Sequence, residues 1–304
     1  MIRVTFLGAV GRSGTTLIER TLASGGGFVA LGEVCHFWSR SVAAGELCGC
    51  GTPIRECEVW TRIVDRAFGG WDRLDATRIV DLQRSVDRNR LIPLLMVPRL
   101  GSRAFRSSLH EYAGLLTTLF AAMAAEFGQD RVLVDSSKHP SSLFVLRHVR
   151  GVDVRVLQVV RDPRAVAHSW SKVVPRVESA DGEPMEQLGP VRATARWTSH
   201  HLLFRLAALR FPTRRLGYEQ FAAEPDQLPA AVQSLWASDG VRCAPIPDGR
   251  VELGVDHTIS GNPVRFSTGA LVIRPDEAWR RTPGGIGRAL VGLVTFPLRS
   301  VLGR

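Results

Sequence analysis

Residues 11–17 read Gly-Arg-Ser-Gly-Thr-Thr-Leu. These residue types suit the binding of a phosphate or a similar oxyanion. Gly14 and Thr16 fall where a G-x-x-x-x-G-K-[ST] loop carries its second glycine and its closing hydroxyl. Ala9 stands at the first glycine and Thr15 at the lysine. The physics of the loop survives both changes. Amides at the start of the following helix converge on one point, and the helix dipole adds positive potential there. Ser13, Thr15 and Thr16 offer hydroxyls, and Arg12 offers a charge-assisted hydrogen bond. Hydrolysis of a nucleoside triphosphate fits less well. It calls for a lysine on the terminal phosphates and a carboxylate-held magnesium. The nearest strand-end acid, Asp135, is instead followed by Ser-Ser-Lys. No metal is expected at the site.

The elements that must position such a loop are legible on both sides of it. Residues 2–8 (IRVTFLG) form an apolar run ending in glycine and read as a buried parallel strand. Helical spacing follows over 14–24. The pattern recurs with a strand at 131–135 and a helix at 141–151, then with a strand at 154–160 and a helix opening at Pro163 with Asp162 as its cap. A fourth strand is predicted in 214–221, with a helix over 225–238. Alternating strands and helices predict a parallel sheet with right-handed crossovers, and ligands bind beyond the carboxyl ends of its strands. The expected class is a three-layer α/β fold of the phosphate-loop kind. A single domain spans 1–304, with a mostly helical cap at about 37–127. Residues 173–190, rich in Pro, Gly and acid, read as a mobile loop.

Composition narrows the partners. The chain has 304 residues, with 39 Lys and Arg against 29 Asp and Glu, a formal charge of +10. That excess favours an anionic partner. The charge is scattered rather than blocked and no nucleic-acid motif stands out, so nucleic acid is not expected. The start of the chain lacks the apolar core of a secretory signal, and no long apolar run suggests a membrane span. The expected compartment is the cytoplasm. The tail from 286 is apolar with arginines. It reads as a helix packed on the core and broken at Pro297, with weak membrane-surface contact as the alternative.

"GRSGTTL" resembles the 5′-phosphosulfate loop of sulfotransferases that use 3′-phosphoadenosine 5′-phosphosulfate (PAPS). A second motif supports the resemblance. "VVRDPRAVAHSW" is similar to the segment in which that family sets an arginine at a strand end and a serine eight residues on, both on the cofactor's 3′-phosphate. These are Arg161 and Ser169 here. The likeness is greatest to the bacterial branch. "LVDSSKHPSSLFVL" looks like its D-S-S-K segment. "RLGYEQF" looks like its Tyr-Glu-Asp element, with Gln220 in place of the Asp. "SGNPVRF" looks like its late G-N-P-x-R-F motif. The resemblance implies that Tyr218 lies near the adenine and that Asn262 and Arg265 close over the phosphates. A plain Gly–Pro turn explains "GNP" equally well. Residues 60–127 carry little of the resemblance and are expected to choose the acceptor.

What this implies chemically is an in-line, metal-independent transfer of a sulfuryl group to a hydroxyl or amine of a small-molecule, glycan or lipid acceptor. Arg12 is the candidate for the leaving oxygen, where charge develops. Glu33, at the end of the predicted strand "FVALG", is the first candidate for the base, and bacterial relatives place a glutamate or similar base there. His36, three residues on, is the second candidate. Lys138 is assigned either to the sulfonate or to a salt bridge with Asp135. Cys35, Cys48, Cys50 and Cys57 cluster, with the last three spaced C-x-C-x6-C. The spacing lacks paired C-x-x-C knuckles, so plain structural thiols are preferred to a four-thiolate zinc site. Two rival functions remain: a phosphate-loop kinase with an altered lysine, and a non-catalytic anion-binding module.

Overall fold

The computed structural model describes residues 1–175, 184–281 and 286–302, and the side chains of all but 286–290 among them. Five parallel strands make the central sheet: β1 (Ile2–Gly8), β2 (Phe28–Gly32), β3 (Val132–Asp135), β4 (Val152–Val160) and β5 (Thr213–Gly217), in the order β2-β3-β1-β4-β5. Strand β1 sits in the middle because its residues are buried on both faces, as a central parallel strand demands. The order reverses around β1. The crevice beyond its carboxyl end is therefore the expected ligand position.

The pleat sends alternate residues into two cores. Val4, Phe6, Leu133, Val154 and Val156 face one layer, while Leu7, Val132, Val134, Leu157 and Val159 face the other. Helix α1 (Thr15–Ser24) covers the second face. The 37–127 segment then supplies α2 (Glu58–Phe68), α3 (Ala76–Val86), α4 (Ile92–Met96) and the long α5 (Arg103–Phe127). As expected it is mostly helical. Leu109, Leu116 and Phe120 of α5 join the first core, together with Leu143 and Phe144 of α6 (Pro140–Leu146).

Helix α7 (Pro163–Trp170) follows β4 directly. Asp162 caps it as expected, accepting from the Arg164 amide at 2.8 Å. Of the predicted loop at 173–190, residues 176–183 lie outside the described residues. Its ends meet in a bridge between Pro175 and Pro184 before α8 (Pro190–Ala207) begins. The fourth strand ends earlier than predicted. Residues Tyr218–Ala223 form helix α9, because Gly217 closes β5 and the chain turns into a helix there. Helix α10 (Gln227–Leu235) follows.

The late chain contains an antiparallel hairpin that periodicity does not reveal, β6 (Arg250–Leu253) with β7 (Gly269–Val272). After the short α11 (Ala278–Arg281), α12 (Ile286–Val301) packs on α7 and α8. It continues through Pro297 rather than breaking there. Val291 and Leu302 are buried, while Leu293, Val294 and Phe296 are exposed. Among the described residues no helix is long and apolar enough to cross a membrane.

Candidate active site

The loop between β1 and α1 turns through two left-handed residues, Arg12 (φ +70°) and Gly14 (φ +80°). Glycine at 14 is required twice over. A Cβ there would lie 2.1 Å from the Tyr218 ring, and the positive φ disfavours any other residue. Gly14 caps α1 without a side-chain hydrogen bond, which leaves the helix's first amides in need of a partner. Trp170 seals the loop's far side. Its indole N–H donates to the Gly11 carbonyl at 3.1 Å, and a Cβ on Gly11 would strike the ring at 2.7 Å. The Arg12 guanidinium lies 5.5 Å from the Trp170 ring centre, and Arg196 of α8 lies 5.2 Å from it.

Arg161, leaving β4, reaches the same loop. Its Nη1 donates to the Arg12 carbonyl at 2.9 Å and its Nη2 to Asp276 at 2.7 Å. The guanidinium stacks 4.5 Å from the Tyr218 ring centre. Its Nε is buried with no hydrogen-bond partner among the described residues. Glu219 holds the neighbouring strand exit by accepting from the Asp162 amide at 2.8 Å.

On the opposite side, β2 ends at Gly32 (φ +76°) and delivers Glu33. The Glu33 amide donates to the Ile259 carbonyl at 2.6 Å, and the Ser136 amide donates to Gly32 at 2.8 Å. Beyond β3, Asp135 accepts the Ser137 amide at 2.9 Å, and the Ser137 hydroxyl accepts the Cys35 amide at 2.9 Å. This box locks the two strand exits together and fixes Lys138 in a left-handed conformation (φ +64°). Lys138 Nζ donates to Glu33 Oε1 at 2.5 Å, while His36 Nε2 lies 3.4 Å from Oε2. The sequence left Lys138 between the sulfonate and Asp135, and its ion-pair partner here is Glu33.

Electrostatics divides these acids. Burial alone would raise the Glu33 carboxyl, but the charge of Lys138 and the hydrogen bond and charge of His36 outweigh it. Glu33 is held well below the usual carboxylate range. Burial pushes Asp135 up to about 6 against the pull of its Ser137 hydrogen bonds. Glu19, wholly buried on α1, is pushed up to about 8 by burial.

One open cleft of about 1290 Å³ joins the loop, Arg161 and the Glu33–Lys138 pair. Arg12, Gly14, Thr15, Thr16, Glu33, His36, Lys138, Arg161, Ser169, Tyr218 and Asn262 line it. Two predicted residues do not. Ser13 is wholly buried behind the loop. Arg265 is a correction to the expected phosphate contact. Its guanidinium is spent on the Thr258 and Leu47 carbonyls, each at 2.7 Å, so it braces backbone outside the cleft. Asn262 caps its own turn, accepting from the Val264 amide at 3.2 Å.

Sequence reasoning missed several lining residues. Arg196, Ser199 and His200 share one face of α8, and that i, i+3, i+4 spacing was the available signal. Arg40 also lines the cleft and donates to Ser260 at 2.6 Å. Arg274 lies just past β7, where the hairpin itself went unpredicted. Among the described residues the lining thus holds six Lys and Arg side chains (12, 40, 138, 161, 196 and 274) against two carboxylates, Glu33 and Glu186. An excess of positive side chains in a cleft favours anions.

A scan against protein-family models finds no match. A search of curated proteins finds none either. Among solved structures, the chain is similar to the sulfotransferase domain from the curacin biosynthetic pathway. Identity is 14%, coverage 97% of this chain and 98% of that one, and the TM-score 0.49. It is also similar to the sulfotransferase domain from the Synechococcus PCC 7002 olefin synthase. There identity is 15%, coverage 97% and 94%, and the TM-score 0.43. Neither likeness bears on the chemistry of the cleft.

Proposed function

We propose that this protein is a sulfotransferase that takes the sulfuryl group from PAPS to a hydroxyl or amine of a small-molecule, glycan or lipid acceptor. The observation that carries the reading is the hydrogen bond from Arg161 to the Arg12 carbonyl. It joins the loop at the head of α1 to the cation leaving β4, so that two anion-binding groups face one cleft. The fit of a bisphosphate nucleotide is supported by the uncapped start of α1 and by the buried Arg161 Nε that lacks a partner.

The donor, when bound, supplies a sulfuryl group on a phosphate leaving group. The amides of Thr15 and Thr16 and the Arg12 guanidinium would hold the 5′ end and stabilise charge on the leaving group. Arg161 and Ser169 hold the 3′-phosphate, and Tyr218 supports the base. Glu33 takes the acceptor's proton through its carboxylate. While Lys138 sits on Oε1 that carboxylate is a weak base. Movement of Lys138 off Oε1, toward a bound sulfonate, would restore its basicity.

Titration calorimetry with adenosine 3′,5′-bisphosphate, ADP and ATP, each with and without magnesium, tests the reading. The expected result is magnesium-independent binding of the bisphosphate, much tighter than that of ADP. Equal affinities would remove the assignment of Arg161 and Ser169. Magnesium-dependent preference for ATP would favour a kinase.

A further inference from the structure

The cysteine cluster lies outside the cleft, and its fourth member is not a cysteine. The expected partner, Cys35, is instead drawn to Ser137 by its backbone. In its place stands His257, 200 residues after Cys57 in the chain, with Nδ1 at 3.2 Å from Cys57 Sγ and 3.7 Å from Cys48 Sγ. We infer that Cys48, Cys50, Cys57 and His257 form a structural zinc site.

The geometry suits the metal. One ligand atom from each residue lies within 4.8 Å of every other. Zinc bonds of ~2.3 Å to sulfur and ~2.0 Å to nitrogen place tetrahedral ligands about 3.5–3.8 Å apart. The His257 Nδ1 atom already sits near that spacing from Cys57 and Cys48 Sγ, and Cys50 Sγ lies within 4.8 Å of all three. A set of three thiolates and one imidazole closes the coordination sphere, as structural zinc sites do. All the cysteines are free thiols, so no disulfide competes for them here. Cys48 and Cys57 are buried.

The surrounding backbone is shaped to bring these ligands together. Gly49 lies against the segment that carries His257, and a Cβ on it would fall 2.4 Å from Thr258 Oγ1 and 2.5 Å from the Asp256 carbonyl. The Gly49 amide donates to Thr258 at 3.0 Å, and the Cys48 amide donates to Thr52 at 2.8 Å. The Trp60 indole donates to the His257 carbonyl at 2.9 Å. Arg265, freed from the cleft, bonds Leu47 and Thr258 and so ties both halves of the site. Two residues past His257, Ile259 pairs with the edge of β2 and accepts from the Glu33 amide. The metal thereby staples the wall of the cleft without touching it.

Protein purified under reducing conditions is assayed for metal by plasma mass spectrometry, and replacement by cobalt(II) is followed in the visible spectrum. Stoichiometric zinc is expected, and cobalt should give the intense bands of a tetrahedral thiolate site. Cys57→Ser and His257→Ala should lose the metal, whereas Cys35→Ser and Cys243→Ser should keep it. Should the substituted proteins not fold, reactive-thiol counts on the unmodified chain before and after chelation read the same point, and a rise of three thiols is expected. A folded, reduced protein that carries no zinc and takes up neither ion overturns the inference. So does zinc that is lost with Cys35 but retained without Cys57, because a second cluster of Cys35, His36 and His139 would then be the holder.

Discussion

The Arg161 guanidinium reaches across from the end of β4 and hydrogen-bonds the main-chain carbonyl of Arg12 at 2.9 Å. A strand-exit cation is thus built into the glycine loop of the neighbouring strand. The planar fork matters, because one nitrogen serves Arg12 and another serves Asp276.

Arg161→Ala should weaken binding of adenosine 3′,5′-bisphosphate by about 1.5–3 kcal/mol, the range for a hydrogen bond to a charged group. Affinity for ADP, which lacks the 3′-phosphate, should move far less. Arg161→Lys should fail to restore the loss, since an ammonium cannot keep the Arg12 carbonyl and a phosphate in one plane. Calorimetry on the three proteins decides it. Equal losses for both nucleotides would mean that Arg161 only shapes the loop.

Asp276 occupies Arg161 Nη2 at 2.7 Å, and an incoming phosphate must compete with it. Asp276→Asn should therefore tighten bisphosphate binding. The carboxylate is 39% exposed, so water screens the pair and the gain should stay under ~1 kcal/mol. Weaker binding in the variant would show that Asp276 orients the arginine instead of competing for it.

Glu33→Gln should cut turnover by roughly 10²–10⁴-fold, the usual contribution of a general base, with bisphosphate affinity unchanged. Lys138→Met tests the neighbour. Removing the cation lets the Glu33 carboxyl rise from its depressed position, so the acid side of the pH–rate profile should move to higher pH. A profile that does not move, or full turnover in Glu33→Gln, would shift the base to His36.

Glu19 carries a pH effect on stability. Its carboxyl titrates near 8 in the folded protein and near 4.5 unfolded. Between those values the folded state holds the proton more tightly. Stability is therefore fully present below about pH 4.5 and is lost as pH rises toward about 8, by up to about 1.4 kcal/mol per pH unit. Glu19→Gln should remove that slope. Denaturant melts of both proteins at pH 5 and pH 8 read the difference, and parallel behaviour would show that the acid is already ionised.

The layers and the loop were legible because apolar runs ending at Gly8, Asp135 and Val160 can only be buried strands, and each opens into a helix with a readable start. Glu33 and Lys138 were singled out by strand-exit position together with the family resemblance of their segments. Their pairing was not, because it depends on the Asp135–Ser137 box that turns the backbone at 138. Arg265 misled because an arginine after a glycine–proline turn looks the same whether it faces a ligand or spans two carbonyls. Arg20, buried on α1, has the same silent role. It bonds Asp256 and the carbonyls of Gly254, Val264 and Ser267. His257 was invisible beside the cysteines, since only the fold closes so long a gap. The β6–β7 hairpin has four-residue strands, too short for periodicity to register.

Arg12 and Lys138 both hold backbone angles that favour glycine. Each pays for its direction with conformational strain that a smaller residue would relieve. A screen that selected variants of this chain for heat tolerance alone would be drawn to glycine at those two places. It would return sturdier molecules that had shed the cations facing the cleft, so robustness and the cleft's positive charge pull against each other at the level of two torsion angles.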